Sequence, residues 1–316
     1  MKPNSIHKKQ ATVFLIVLLV LGSILLLILH RNQSNQANDN TNEVQKTMSK
    51  IQIETVTTDL FSMDYFRFGK GEKTLVILPG LSVQSVMGSA DAVAAAYQSL
   101  TDDFTVYLFD RRKELPDSYS VKDMANDTDI AIRAIRLENI CLFGASQGGM
   151  IAMQIAADDP ALVEKLVLAS TTSCMTEQRF QVIDTWIGLA QTGDREALYL
   201  SFGEALYPQE LFEQSREMLT EVAKTVTDEE LVRFTILAEG MRDFDITDNL
   251  EQISCPVFAV GSKDDKVLGA DASIQIAEQM QEHTDFEYFL YDNYGHALYD
   301  TAPDFQERML QFLTAE

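Results

Sequence analysis

Eleven residues constrain this chain more than any others: Asn139-Ile140-Cys141-Leu142-Phe143-Gly144-Ala145-Ser146-Gln147-Gly148-Gly149. The apolar run Ile140 to Phe143 reads as a buried strand. A Gly-x-Ser-x-Gly turn follows, and Met150 to Ala157 reads as a helix. Strand, tight glycine turn and helix make the setting of a nucleophile elbow, which lifts a serine hydroxyl out of the sheet. The glycines leave room for backbones that must pass close by. The N–H of Gln147 then sits at a helix N-terminus, where a developing oxyanion is stabilised.

The partners of such a serine must come from a short list. The chain has only four histidines, His7, His30, His283 and His296, which disfavours a histidine-based metallohydrolase. Its three cysteines, Cys141, Cys174 and Cys255, are too few and too far apart for a disulfide framework or a zinc site. Net charge is -23, and it is uneven. Residues 1–50 hold six Lys/Arg against two Asp/Glu, and the remainder holds 19 against 46. An acidic body of this kind repels nucleic acid.

Ala11 to Leu29 carries no charge over 19 residues and follows Lys2, His7, Lys8 and Lys9. As a helix, at ~1.5 Å per residue, it would span about 28 Å, near the thickness of a bilayer core. No Ala-x-Ala-like cleavage site ends it. The reading is a single-pass signal anchor in the cell membrane, with residues 1–10 cytoplasmic and the rest extracytoplasmic. Residues 30–50 are rich in Asn, Gln, Ser and Thr and read as a polar linker.

From residue 51 to residue 316 the pattern is that of one α/β domain. Ile51–Thr57 and Leu60–Phe68 read as antiparallel strands. Thr74–Leu78, Phe104–Phe109, the elbow strand and Val163–Ala169 read as buried parallel strands, with helices over Ala90–Leu100 and Ser120–Ile135. Residues 175–249 break the alternation: they contain no convincing strand and show helical apolar spacing at Phe180, Ile183, Trp186 and Ile187. Alternation resumes with a strand at Pro256–Val260, a helix at Ala270–Gln281, a strand at Phe286–Tyr291 and a helix at Pro303–Leu313. The fold expected is a mostly parallel central sheet flanked by helices, with 175–249 as a helical cap inserted over the C-terminal edge of the sheet.

A serine hydroxyl needs a base beside it, and a buried imidazole needs an anion to hold its tautomer. Gly261-Ser262-Lys263-Asp264-Asp265 follows a late strand, and Gly295-His296 follows the last. Ser146, one of the adjacent aspartates and His296 then fall in the order Ser, Asp, His. His283 lies in a polar loop between a helix and a strand. Pro79-Gly80-Leu81, after the third strand, offers the N–H of Leu81 as a second oxyanion donor beside that of Gln147.

Together, Leu78-Pro79-Gly80-Leu81, Gly144-Ala145-Ser146-Gln147-Gly148-Gly149, Gly261-Ser262-Lys263-Asp264 and Gly295-His296 resemble the α/β-hydrolase fold family, in its serine carboxylesterase-like members with a helical cap. The resemblance runs from Ile51 to the end of the chain. It implies Ser146 as nucleophile and His296 as base. Asp264, three residues past Gly261 as in the family's Gly-x-x-Asp, is implied as the acid. Serine at position 146 separates the chain from dehalogenases and epoxide hydrolases, which use aspartate there. The activity implied is cleavage of a small-molecule ester or acyl substrate through an acyl-enzyme, with no cofactor and no metal. An acyltransferase, a thioesterase, a cofactor-free perhydrolase or haloperoxidase, and a non-catalytic ligand-binding protein on the same fold are the alternatives.

Overall fold

The structure, a computed structural model, describes residues 50–315. The strands are β1 (Ile53–Thr57), β2 (Ser62–Gly69), β3 (Lys73–Leu78), β4 (Phe104–Arg112), β5 (Ile140–Ala145), β6 (Val163–Ala169), β7 (Val257–Ser262) and β8 (Phe286–Tyr291). They form one sheet in the order β1-β2-β4-β3-β5-β6-β7-β8. β1 and β2 pair antiparallel at one edge, and β2 runs antiparallel to β4. All remaining pairs are parallel. β5, flanked by β3 and β6, is buried along its whole length, which explains why it reads as an unbroken apolar run rather than an alternation.

The helices of the main body are α1 (Ala90–Ala96), α2 (Val121–Ala134) and α3 (Gln147–Asp158), each lying between parallel strands. Ser120 and Asp123 close a capping box at the start of α2, so two donors that the helix geometry leaves unpaired are satisfied locally.

The insert holds four helices: α4 (Glu177–Thr192), α5 (Arg195–Leu206), α6 (Gln209–Ala223) and α7 (Asp228–Glu239). Thr176 caps the start of α4, and Gly193, left-handed at φ 74, ends it. Phe180, Ile183, Trp186 and Ile187 all face inward, as their spacing predicts. The two ends of the insert are tied together. Met175 N–H donates to Phe244 C=O at 2.7 Å, and Ile246 N–H donates to Ser173 C=O at 2.9 Å. The insert therefore leaves and rejoins the sheet at one neck, which makes it a cap rather than a separate domain. After it come α8 (Ala270–Gln279), the short α9 (Leu298–Thr301) and α10 (Phe305–Thr314).

The expected membrane-spanning anchor at 11–29 lies outside the described residues. Among the described residues no helix is long and apolar enough to cross a membrane. The longest, α4, has 16 residues and carries Glu177, Gln181 and Asp184. The fold class is corrected accordingly to the α/β body with its cap. The signal anchor, the single-pass extracytoplasmic placement and the membrane as a partner are dropped from the reading.

Candidate active site

In a parallel sheet the loops after each strand gather at one edge, and ligands bind there. Here that edge collects the loops after β3, β5, β7 and β8, and the cap covers them.

Ser146 stands between β5 and α3 with φ 52 and ψ −119, a conformation that L-residues rarely adopt. Several bonds hold it there. Its N–H donates to Ala169 C=O at 2.9 Å, and its own carbonyl accepts from Gly149 N–H at 2.9 Å and from the Thr171 hydroxyl at 2.8 Å. Gly148 has a steric reason to be glycine: a Cβ on it would lie 2.0 Å from the Leu78 carbonyl oxygen. A Cβ on Gly144 would lie 2.3 Å from the Gly148 carbonyl oxygen. The pattern of glycines read from the sequence is thus the requirement for α3 to start in contact with β3 and β5.

His296 is 1% exposed and reaches both neighbours. Its Nε2 lies 2.9 Å from Ser146 Oγ, and its Nδ1 lies 2.8 Å from Asp265 Oδ2. A carboxylate only accepts, so Nδ1 carries the hydrogen and Nε2 is left to accept from the serine hydroxyl. The His296 loop is seated from above by the cap: Ala297 N–H donates to Leu206 C=O, the last residue of α5, at 3.0 Å.

The acid position implied by the family spacing is off by one. Asp265, not Asp264, touches His296. β7 continues to Ser262, which pairs with Tyr291, so the strand runs two residues past its expected end at Val260. The turn then starts at Ser262, with Asp265 N–H donating back to the Ser262 carbonyl at 3.3 Å. That aims the Asp265 side chain inward, where it is 5% exposed. Its Oδ1 accepts from Val267 N–H at 2.8 Å and Leu268 N–H at 3.0 Å. Asp264 is exposed and accepts from Asn293 N–H at 2.5 Å. His283 is away from the site; its Nε2 lies 3.0 Å from the Ile253 carbonyl.

The two residues expected to supply oxyanion donors flank the serine. Gln147 is the first residue of α3, whose leading N–H groups have no partner within the helix. Gly80, just before Leu81, packs on the serine closely enough that a Cβ there would lie 3.2 Å from Ser146 Cβ. Leu81 and Gln147 are both buried.

Over the serine lies a cavity of ≈ 10 Å³, room for about one water molecule. Its roof is Ile183 and Trp186 of α4 with Phe202 and Leu206 of α5, and its walls include Met241, Val267 and Tyr299. Trp186 and Phe202 pack against each other, tilted by 42°, with ring centroids 4.3 Å apart. Burial, aided by the carboxylates of Asp300 and Asp265, pushes the Tyr299 phenol well above its ordinary value, so it stays a neutral donor. Sequence reasoning missed Tyr299, although it lies three residues past His296. It also had no means of naming the roof, whose residues come from two separate helices. Among the described residues no group of three or more His, Cys, Asp or Glu is placed to hold a metal ion.

Comparison with known proteins agrees with this geometry. Residues 74–301 match the Hydrolase_4 family, described as serine aminopeptidase, S33. RutD of Agrobacterium fabrum, to which carbamate hydrolysis is ascribed, is 28% identical over 245 residues, covering 74% of this chain and 93% of that protein. RutD of a Caulobacter species is 27% identical, covering 77% and 91%. Among solved structures, an α/β-hydrolase enzyme from a Medee basin deep-sea metagenome library superposes with a TM-score of 0.73 at 20% identity, covering 83% of this chain and 98% of its own. An esterase from Exiguobacterium antarcticum gives 0.67 at 20% identity, covering 85% and 100%. At that identity the superpositions speak for the fold alone. The family match covers most of the chain and includes the elbow serine and its histidine, and so the protein belongs to the Hydrolase_4 (serine aminopeptidase, S33) family and is a serine hydrolase of the α/β-hydrolase fold.

Proposed function

We propose that the chain hydrolyses small, uncharged carboxylic esters. Ser146 attacks the carbonyl carbon while His296 Nε2 takes its proton. The tetrahedral oxyanion is held by the N–H groups of Leu81 and Gln147. Collapse expels the alcohol, protonated by His296, and leaves an acyl-Ser146. A water molecule, deprotonated by His296, then releases the acid. Asp265 holds the imidazole in its reactive tautomer and stabilises the imidazolium formed at each attack. A perhydrolase or acyltransferase differs only in what replaces water in the second half, and the triad itself is common to both.

The observation that carries the ester reading is the lining of the cavity over Ser146. Ile183, Trp186, Phe202, Leu206, Met241 and Val267 are apolar, no carboxylate lines the cavity, and Asp265, behind His296, is committed to it. An aminopeptidase substrate brings a charged α-ammonium, which is costly to bury without an anion to receive it. The lining supplies none, so the family's name does not carry over to the substrate. The small size of the cavity favours short acyl groups, entering as the Trp186 and Phe202 side chains move aside. A carbamate is a second reading, favoured by the RutD relatives.

The test is a panel of p-nitrophenyl esters from acetate to decanoate, with a p-nitrophenyl carbamate and an aminoacyl p-nitroanilide alongside, and Ser146→Ala as the blank. Acetate or butyrate should give the highest kcat/KM. Trp186→Ala should move the optimum to longer chains by about tenfold, since each methylene fitted or excluded is worth roughly 10–200-fold. Preference for the free-amine anilide would refute the ester reading, and preference for the carbamate would install the second one.

A further inference from the structure

Arg111, at the end of β4, is 3% exposed, and it joins the two segments that flank Ser146. Its Nη2 donates to the Pro79 carbonyl at 2.8 Å and to Gln147 Oε1 at 3.1 Å. Pro79 opens the loop that ends at Leu81, and Gln147 opens α3. One guanidinium therefore pins the origin of each expected oxyanion donor. The linkage continues into the cap. Gln147 Nε2 donates to the Leu237 carbonyl in the last turn of α7 at 2.8 Å. One turn earlier on α7, Arg233 Nη2 donates to Asp110 Oδ1 at 2.8 Å. Asp110 also accepts from Ser85 Oγ at 2.5 Å and from Arg111 N–H at 2.7 Å.

This arrangement is a costly way to fill space. Arg111 Nε is buried without a partner, and burial drags the guanidinium down to about 10 even though Asp110 opposes the shift. An apolar side chain of similar size would fill the volume without that cost. What the guanidinium adds is one planar nitrogen, Nη2, whose two hydrogens hold two acceptors at a fixed separation, and a positive charge behind the residue whose N–H meets the oxyanion.

We propose that Arg111 is a positioning residue for the oxyanion hole: through the Pro79 carbonyl and the Gln147 side chain it sets the spacing of the Leu81 and Gln147 N–H groups and ties that spacing to the seating of α7. The inference rests on the serine-hydrolase reading of Ser146. A donor misplaced by a fraction of an ångström loses transition-state stabilisation while ground-state binding is almost untouched, so the effect belongs in kcat.

The experiment compares the full-length wild type with Arg111→Met, Gln147→Met and the double variant on p-nitrophenyl acetate. Active sites are counted by stoichiometric reaction with a fluorophosphonate. Arg111→Met should lower kcat per titrated site by about 10–100-fold, with KM within threefold. The Ki of a small alkylboronic acid, which forms a tetrahedral adduct on the serine, should rise by the same factor as kcat/KM falls. Arg111→Lys should recover part of the loss. The double variant should be no worse than the poorer single one, because both cut one relay. If Arg111→Met does not fold, Gln147→Met alone carries the test through the same split. A kcat per titrated site within threefold of wild type in the folded variants, or a loss confined to KM or to the titrated fraction, overturns the inference. A wild type that reacts with neither ester nor fluorophosphonate overturns the hydrolase reading instead, and this inference with it.

Discussion

Replacing Asp265 by asparagine isolates what a carboxylate does for His296. Oδ1 of Asp265 accepts two backbone N–H groups, from Val267 at 2.8 Å and Leu268 at 3.0 Å, while Oδ2 faces His296 Nδ1 at 2.8 Å. An asparagine in that place has one oxygen, and two backbone donors compete for it. The oxygen stays with them and the amide NH₂ turns to the imidazole. Nδ1 must then accept, so the ring hydrogen moves to Nε2, 2.9 Å from Ser146 Oγ. The histidine meets the serine with a donor and has no lone pair to take its proton. A wrong tautomer of this kind lowers kcat by about 10⁴, which is a barrier increase of about 5.5 kcal/mol. Asp264→Asn is the control: its exposed side chain keeps an oxygen for Asn293 N–H, so kcat should fall less than about tenfold. The assay is kcat on p-nitrophenyl acetate for both variants, each checked for a cooperative melt by circular dichroism. A dead Asp264→Asn beside a near-wild-type Asp265→Asn would refute the tautomer argument and the assignment of the acid.

Gly148→Ala should be inactive or fail to fold, because the new Cβ would lie 2.0 Å from the Leu78 carbonyl oxygen and must push α3 off β3; fluorophosphonate labelling at the wild-type rate would contradict this. Arg233→Met should destabilise the chain by about 3 kcal/mol near neutral pH, since it leaves Asp110 buried without its main counter-charge. Burial raises the Asp110 carboxyl, but Arg233, Ser85 and Arg111 outweigh it and hold it below the ordinary carboxylate value. A lowered carboxyl contributes stability that is present above its unfolded value and is lost as pH falls through the folded one. The difference in melting temperature between wild type and Arg233→Met should therefore shrink as pH drops below about 4. A difference that stays constant from pH 7 to pH 3 would argue against this account of the pair.

The features legible in the sequence are those written in local spacing. The unbroken apolar run of β5, the glycines around Ser146 and the helix after them specify the elbow, because each records a contact within a few residues or a steric limit on the backbone. The break in alternation after residue 175 announced the cap for the same reason: a helical period cannot sit in a sheet. The order Ser, Asp, His followed from the order of strands. The hydropathy of residues 11–29 was equally legible, but it concerns residues outside the described fold, and no described helix supports a membrane span. Tertiary structure decided the rest. Whether Asp264 or Asp265 faces His296 depends on how far β7 pairs with β8 before turning, and no count from Gly261 contains that pairing. The roof over Ser146 comes from two helices of the cap, chosen by how the cap is seated. In the sequence Arg111 is one charge in the run Asp110-Arg111-Arg112-Lys113 after a strand, with nothing local to mark it as buried. It is buried because α7, more than 120 residues on, brings Arg233 to Asp110 and the Leu237 carbonyl to Gln147. Long-range pairings of this kind depend on the distance between elements once packed, and a sequence pattern carries only the period within each element.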